Sequence, residues 1–553
     1  MKPIILAVDD DPQVLRAVAQ DLRKRYGETY RIMRADSGQR ALDTLATIAQ
    51  REDPLALILS DQRMPEMDGV TFLKEAIKLE PKAKRALLTA YADTEAAISA
   101  INESQIDYYL LKPWDPPDQR LYPILDDLLT DWQQMYKPGF GGVRILGDRW
   151  SSKSHEVKDF LARNQIPYTF LDVEKSAEAR EIVQQVKEEA SSNGALPLVF
   201  LPDGKRLISP AVPDLAEQLG LQLKAEQDFY ELAIIGGGPA GLASAVYGAS
   251  EGLKTVLIEE SATGGQAGTS SRIENYLGFP VGLSGADLAR RATTQAKRFG
   301  VEILSPQSVE KLEVDGPYKT LTLSNGSSFT AHALMLSMGV SWRKLPAPGA
   351  DALTGRGVYY GAAMTEAMNC RNEKVYIIGA GNSAGQAALF FATYANKIEM
   401  LVRGDSLASK MSHYLVERIE ETENIEVHLN TSVTACHGED HLEGLTLKNS
   451  NTGEEDKKEA SFLFVFIGAA PRTDWLGDQI ARDPRGFILT GPEIPEEALD
   501  TWPLERKPYL LETSIPGVFA SGDVRSGSVK RVASAVGEGS VSVHFIHRFI
   551  GAL

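Results

Sequence analysis

The chain reads as an α/β protein made of several doubly wound units, and three observations point there. Over residues 1–130, strand-like runs (IILAVDD, YRIMRAD, LALILSD, RALLTAY, DYYLLKP) alternate with helix-like runs. Further on, two glycine-rich fingerprints each lie between a strand-like run and a helix-like run. The length, 553 residues, exceeds what one core can serve, so three to four domains are expected.

Composition narrows the class. With 43% hydrophobic and 24% charged residues the chain is an ordinary globular one. A formal net charge of -17 argues against a nucleic-acid surface, which wants a basic face. No apolar run is long enough to span a bilayer, and the start MKPIILAVDD is a strand, not a signal peptide. Two cysteines, Cys370 and Cys436, cannot make a disulfide framework and fit a reducing cytoplasm.

In the first unit (1–130), chemistry-bearing residues sit at strand ends, where open α/β sheets carry their sites. Asp9 and Asp10 end the first strand, Asp61 the third, Thr89 the fourth and Lys112 the fifth. The strings VDDD, SDQRMPEMDG, LLTAY and YYLLKPW resemble the receiver domain of bacterial response regulators, a flavodoxin-like fold. The resemblance implies that Asp61 accepts phosphate. It further implies that Asp10, with Asp9 behind it, binds Mg²⁺ together with Asp61 and the Arg63 carbonyl. Lys112 then pairs with the phosphoryl group, and Thr89 and Tyr109 form a switch pair. Hard carboxylate oxygens suit Mg²⁺, which screens an incoming phosphoryl group. The implied partner is a histidine kinase or a small phosphodonor.

A linker at 131–142, containing KPGFGG, leads into residues 143–222. There the order is strand, helix, strand, helix, strand, strand, helix. This segment resembles a glutaredoxin or thioredoxin domain, with Pro197 at the family's cis-proline. Where that family has Trp-Cys-x-x-Cys, this chain has Trp150, Ser151, Ser152, Lys153 and Ser154. A hydroxyl cannot replace the thiolate in disulfide exchange, so the segment is expected to bind or dock, or to serve as a spacer.

The first fingerprint, GGGPAG, supplies Gly236, Gly238, Pro239, Ala240 and Gly241. The second, GAGNSA, supplies Gly379, Gly381, Asn382, Ser383 and Ala384. Such glycines allow a tight turn and close approach to a pyrophosphate at a helix N-terminus. Two in order suggest two nucleotides, a flavin and a nicotinamide. After the first, the strand KTVLIEE ends in Glu259 and Glu260, acids suited to the ribose hydroxyls of FAD. Together with GGQ (Gly265, Gln266), IENYLGFP (Asn275) and TSIPGVFASGDV (Gly522, Asp523), the text from 228 onward resembles thioredoxin reductase. The resemblance implies nested Rossmann-type domains, FAD-binding at 228–345 and 468–553 and NAD(P)-binding at 346–467. It places Gly522 and Asp523 at the FAD ribityl and phosphate, Lys530, Arg531 and Val532 along the flavin ring, and the chain in a homodimer. In the nicotinamide domain, Arg403 after KIEML suits a 2′-phosphate, which favours NADPH over NADH. The family's second arginine is replaced by Gly404.

The family's redox Cys-x-x-Cys falls, after the turn Gly355–Val358, on Gly361 and Met364. Neither can hold electrons. Cys370 and Cys436 read as buried structural thiols, a catalytic Cys370 being the alternative. The expected activity is transfer of hydride from NAD(P)H to FAD and on to another acceptor: a quinone, a metal complex, oxygen or a partner's disulfide. In such reductases the nucleotide domains rotate during turnover, so a receiver phosphorylated on Asp61 would be a natural gate. The alternative is a signalling protein whose flavin is sensed, not turned over. No helix-turn-helix follows the receiver, which disfavours a transcription factor.

Overall fold

The computed structural model describes residues 2–50, 53–89, 106–135, 142–190, 196–270, 272–280, 282–361, 366–367 and 369–553. The fourth helix expected in the first unit, half of the linker (136–141) and Met364 lie outside these. Two compact units result, Met1–Gly141 and Gly142–Leu553.

The first unit is a five-stranded parallel sheet ordered Arg31–Ala35, Ile4–Val8, Leu55–Asp61, Lys84–Thr89, Tyr108–Leu111. The order reverses between Ile4–Val8 and Leu55–Asp61, and a ligand crevice is expected at that switch point. Both strands are buried throughout, as parallel strands covered on two faces must be. Asp11 caps the Pro12–Tyr26 helix through Gln13 N–H, so the chain turns sharply after Asp9 and Asp10.

The second unit begins with a four-stranded sheet ordered Tyr168–Asp172, Val143–Gly147, Leu198–Phe200, Arg206–Ile208. Its first pair is parallel and the other two are antiparallel. The helices Ser152–Arg163, Ala177–Ala190 and Val212–Gln218 fall between and after the strands in the expected order. The Leu196–Pro197 peptide is cis.

A seven-stranded sheet follows. Phe229–Ile235 lies between Thr255–Ile258 and Ser328–Leu336, parallel to both. Val518–Ala520, from near the end of the chain, pairs with Ser328–Leu336, so the domain closes only after the inserted one is complete. The insert is a five-stranded parallel sheet ordered Val358–Tyr360, Phe462–Val465, Lys374–Ile378, Lys397–Leu401, Ile425–His428. The chain passes in through Val340–Trp342 and out through Ala469–Pro471, which pair antiparallel. Among the described residues no helix is long and apolar enough to cross a membrane.

Candidate functional site

The carboxyl edge of the first sheet gathers three of the residues expected there. Lys112 Nζ lies 2.7 Å from Asp9 Oδ2 and 2.5 Å from Asp61 Oδ1. Backbone N–H groups hold the other carboxylate oxygens, Asp11 N–H donating to Asp9 and Arg63 N–H to Asp61, each at 2.9 Å. Burial raises the Asp9 carboxyl above the ordinary range despite Lys112 beside it. Burial alone would lower Lys112, but its hydrogen bonds to Asp61 and Asp9 outweigh that and hold its proton. Asp10 is exposed. Thr89 is buried at its strand end. Tyr109 is exposed, stacks on Tyr108, and pairs in register with Leu87, two positions before Thr89.

At the first fingerprint, Gly236 has φ +100, and a Cβ there would lie 2.4 Å from the Ser337 carbonyl oxygen. A Cβ on Gly241 would lie 1.9 Å from the Gly236 oxygen. Thus Gly236 and Gly241 serve the turn and the close packing of helix on strand. Gly238 differs, since the nearest atom to its Cβ position is Gly265 Cα at 4.0 Å. Gly238 is the N-cap of the Pro239–Ser250 helix and no side chain caps it. Ala240 is buried behind the turn. The helix's first N–H groups therefore face a cradle that an anion can enter.

Of the two candidate acids, the structure seats Glu259 at this cradle. Its carboxylate accepts from Gly237 N–H at 2.7 Å and Ser261 N–H at 2.9 Å. Glu260 is exposed and pairs with Arg472. Gly265 packs directly on the fingerprint backbone, its Cβ position 3.1 Å from Gly238 Cα. Gln266 instead donates to the Val340 carbonyl at 2.6 Å, at the crossing into the inserted domain. Asn275 is exposed. Gly522 abuts Ala240, a Cβ there falling 2.9 Å from the Ala240 Cβ. Burial raises the Asp523 carboxyl, and Lys530 Nζ donates to the Asp523 carbonyl at 2.6 Å. Arg531 is the N-cap of the helix that opens at Val532.

Sequence reasoning missed Glu538. Its carboxylate accepts from Gly522 N–H at 2.7 Å and from Arg525 at 2.8 Å, and so fixes the Gly522–Val524 turn. The available signal was an acid alone in the otherwise apolar and small run VASAVGEGSVSV.

The second fingerprint repeats the design. A Cβ on Gly379 would lie 2.7 Å from the Phe466 oxygen, whereas Gly381 has nothing within 4 Å. Gly381 is the N-cap of Asn382–Ala392, again without a side-chain cap, and Ala384 is fully buried behind it. The Asn382 side chain is committed to Ser412, donating to its hydroxyl at 3.0 Å and accepting from its N–H at 2.7 Å. Ser383 is exposed at the helix start. Arg403 is exposed just past Lys397–Leu401, the strand that neighbours the fingerprint strand Lys374–Ile378. Both cradles fit dinucleotides, by the space before Gly238 and Gly381 and by their uncapped N–H groups.

Thiol chemistry finds no support nearby. Gly361 has φ +78, and a Cβ there would lie 2.6 Å from Trp342 Nε1. A cysteine at 361 therefore has no room unless Trp342 moves. Cys370 and Cys436 are buried. Burial pushes the Cys436 thiol up to about 11 and also raises Cys370, beside Glu366. Both are protonated, unreactive thiols at neutral pH.

The fold and these sites define a flavin-dependent NAD(P)H oxidoreductase with two nested dinucleotide domains, fused to a receiver. The comparisons agree. A family model described as pyridine nucleotide-disulphide oxidoreductase matches residues 230–539, and one described as response regulator receiver domain matches 5–121. The chain is similar to a bifunctional thioredoxin reductase/thioredoxin of Mycobacterium leprae, 32% identical over 59% of this chain and 67% of that protein. It is 31% identical to a thioredoxin reductase of Mycolicibacterium smegmatis, over 57% of this chain and 95% of the relative. Among solved structures, the thioredoxin reductase of Lactococcus lactis in its FR conformation superposes with a TM-score of 0.53 at 29% identity, covering 59% of this chain and all of that one. The chain belongs to the pyridine nucleotide-disulphide oxidoreductase family.

Proposed function

We propose that this oxidoreductase passes electrons from its flavin to an acceptor without any dithiol of its own, and that phosphorylation of Asp61 gates it. The observation that carries the first part is the contrast between two well-formed dinucleotide cradles and the lack of a usable thiol. The sequence has two cysteines, 370 and 436, so no Cys-x-x-Cys exists in it. Bound together, the two cofactors supply hydride transfer from the nicotinamide to the flavin.

The chain's own residues do the positioning. Gly238 and Gly381 leave room for backbone N–H groups to meet the two pyrophosphates. Glu259 would take the FAD ribose hydroxyls, while Glu538 holds the Gly522–Asp523 turn. Arg403 offers a cation to a 2′-phosphate, which favours NADPH. In the receiver, Asp9, Asp10 and Asp61 offer hard oxygens to Mg²⁺. Lys112 already bridges Asp9 and Asp61, the place a cation is wanted, and is free to turn to a phosphoryl group on Asp61. The phosphodonor is a histidine kinase or a small molecule.

The lobe at 143–222 reads as a thioredoxin-like domain without thiols. Its sheet, its helix opening at Ser152 and Pro197 support that reading, as does the reductase/thioredoxin named in the Mycobacterium leprae relative. The assembled form is a homodimer.

An anaerobic titration with NADPH and then NADH, following flavin absorbance with and without a phosphoryl donor, tests this. Bleaching whose rate changes on phosphorylation supports both parts. Equal rates remove the gate, and no bleaching by either nucleotide favours a flavin sensor.

A further inference from the structure

The chain joins the FAD and NAD(P) domains through only two crossings, the short antiparallel pair Val340–Trp342 and Ala469–Pro471. A two-stranded ribbon has little rigidity of its own. Beside that crossing, Leu345 N–H donates to Tyr360 at 3.0 Å and Lys344 pairs with Asp351 at 3.1 Å. Away from it, the side-chain contacts between the two domains among the described residues include long ones, Gln386 to the Arg272 carbonyl at 3.5 Å and Arg418 to Glu274 at 3.8 Å.

The Ser152–Arg163 helix of the 143–222 lobe reaches both domains. Its beginning is seated on the NAD(P) domain. Trp150 stacks on His441, with ring centroids 4.7 Å apart, and packs beside Phe462. A Cβ on Gly355 would lie 3.2 Å from Ser152 Cβ, so the backbones nearly touch. One turn on, His155 Nδ1 lies 2.9 Å and Lys158 Nζ 2.8 Å from the same oxygen of Glu366. Glu366 is fully buried and Lys158 nearly so. The helix end is seated on the FAD domain. Asn164 donates to the Ser261 carbonyl at 3.2 Å and Gln165 to the Ala286 carbonyl at 2.9 Å.

We propose that this lobe is an internal splint: its Ser152–Arg163 helix, locked to Glu366 at one end and to the Ser261 and Ala286 carbonyls at the other, holds the two nucleotide domains in one orientation. The lock is close to all-or-none. Withdrawing the helix would take the Lys158 ammonium and the His155 ring away from a buried carboxylate, a change costlier than losing a surface pair. While seated, the helix also covers the Gly355 turn, so a protein substrate cannot reach that turn. The serines in place of cysteines suit this role, because a splint needs a cap and a packed helix start and no thiolate. Ser151 supplies the cap, accepting from Ser154 N–H at 3.3 Å.

Spin labels on Lys311→Cys in the FAD domain and Lys457→Cys in the NAD(P) domain test the splint in the full chain. Both positions are exposed, whereas the native cysteines are buried. Labelled chain is diluted with unlabelled chain so that only intrachain distances are read. The otherwise native chain should give one narrow distance. Glu366→Gln, and separately Asn164→Ala with Gln165→Ala, should broaden it or add a second distance. A distribution equally narrow in both variants, or already broad without them, overturns the splint. If Glu366→Gln does not fold, the Asn164/Gln165 pair, which leaves the buried lock intact, decides. Flavin bleaching by NADPH in the same samples is read separately, so a chain that broadens without bleaching keeps the splint and loses the oxidoreductase reading.

Discussion

Lys112 and Asp61 are in direct ionic contact, Nζ to Oδ1 at 2.5 Å, and the same ammonium holds Asp9 at 2.7 Å. One cation thus serves two carboxylates across the switch point of the sheet, with the exposed Asp10 adding a third acid at the mouth. Such a cluster is short of positive charge, and a divalent cation is what the donor set favours. Asp61 is the residue at the end of the central strand whose other oxygen is already oriented by Arg63 N–H.

Asp61→Asn should therefore abolish phosphoryl uptake from a small phosphodonor, and chelation of Mg²⁺ should do the same to the unaltered chain. A phosphate-affinity gel reads both. Label retained by Asp61→Asn would move the acceptor elsewhere.

Glu366 sets a pH dependence. Burial would raise its carboxyl, but the hydrogen bond from His155 and the charge of Lys158 outweigh it and hold the group at about 2, against an ordinary 4.5. A depressed carboxyl contributes stability in full above 4.5, and the contribution is lost as pH falls through about 2. Acid unfolding of the Gly142–Leu553 unit should steepen across that window. Glu366→Gln should flatten the slope there and cost about 3 kcal/mol at neutral pH, as expected for one partner removed from a buried pair. Denaturant melts at several pH values give the comparison, and identical slopes would refute the assignment.

Ser154 makes the opposite case. Its side chain is fully buried, and its hydroxyl has no hydrogen-bond partner among the described residues. It packs against Gly147, whose Cβ position lies 2.5 Å from Ser154 Oγ. A buried hydroxyl left unpaired costs stability, so Ser154→Ala should gain about 1 kcal/mol in a urea melt. A loss of similar size would mean that the hydroxyl is paired after all.

What the sequence showed and what it hid divide along physical lines. Asp9, Asp61 and Lys112 were legible because a parallel sheet brings its strand ends together whatever lies between them. The glycine turns were legible because their constraint is local. The choice between Glu259 and Glu260 was not, since neighbouring residues at a strand end point opposite ways and only the folded turn shows which meets Gly237. The lock on Glu366 was invisible for another reason. Its partners His155 and Lys158 lie 211 and 208 residues earlier, and an isolated acid carries no motif.

The proposed preference for NADPH rests on Arg403. This residue is exposed beyond the strand next to the second fingerprint, and Gly404 and then the exposed Asp405 follow it. A charge-assisted contact of about 1.5–3 kcal/mol corresponds to roughly 10- to 100-fold in affinity. Arg403→Ala should weaken NADPH by that factor and leave NADH nearly unchanged, as read from flavin bleaching at graded nucleotide. An equal loss for both would assign Arg403 to general binding or to structure.

The glycines of the fingerprints separate folding from binding. At Gly241 an added Cβ meets the Gly236 oxygen at 1.9 Å, backbone that cannot step aside without undoing the turn. Gly241→Val should yield protein that unfolds readily and purifies without FAD, its far-ultraviolet circular dichroism reduced. At Gly381 the same Cβ meets nothing within 4 Å, so the protein itself tolerates Gly381→Ala. What the methyl would meet is an arriving pyrophosphate, which needs the helix N–H groups at close range. Gly381→Ala should therefore keep its fold, its melting temperature and its yellow colour, and lose bleaching by NADPH. Bleaching at the native rate would show that the nicotinamide cofactor does not approach this turn, and the second cradle would need another occupant.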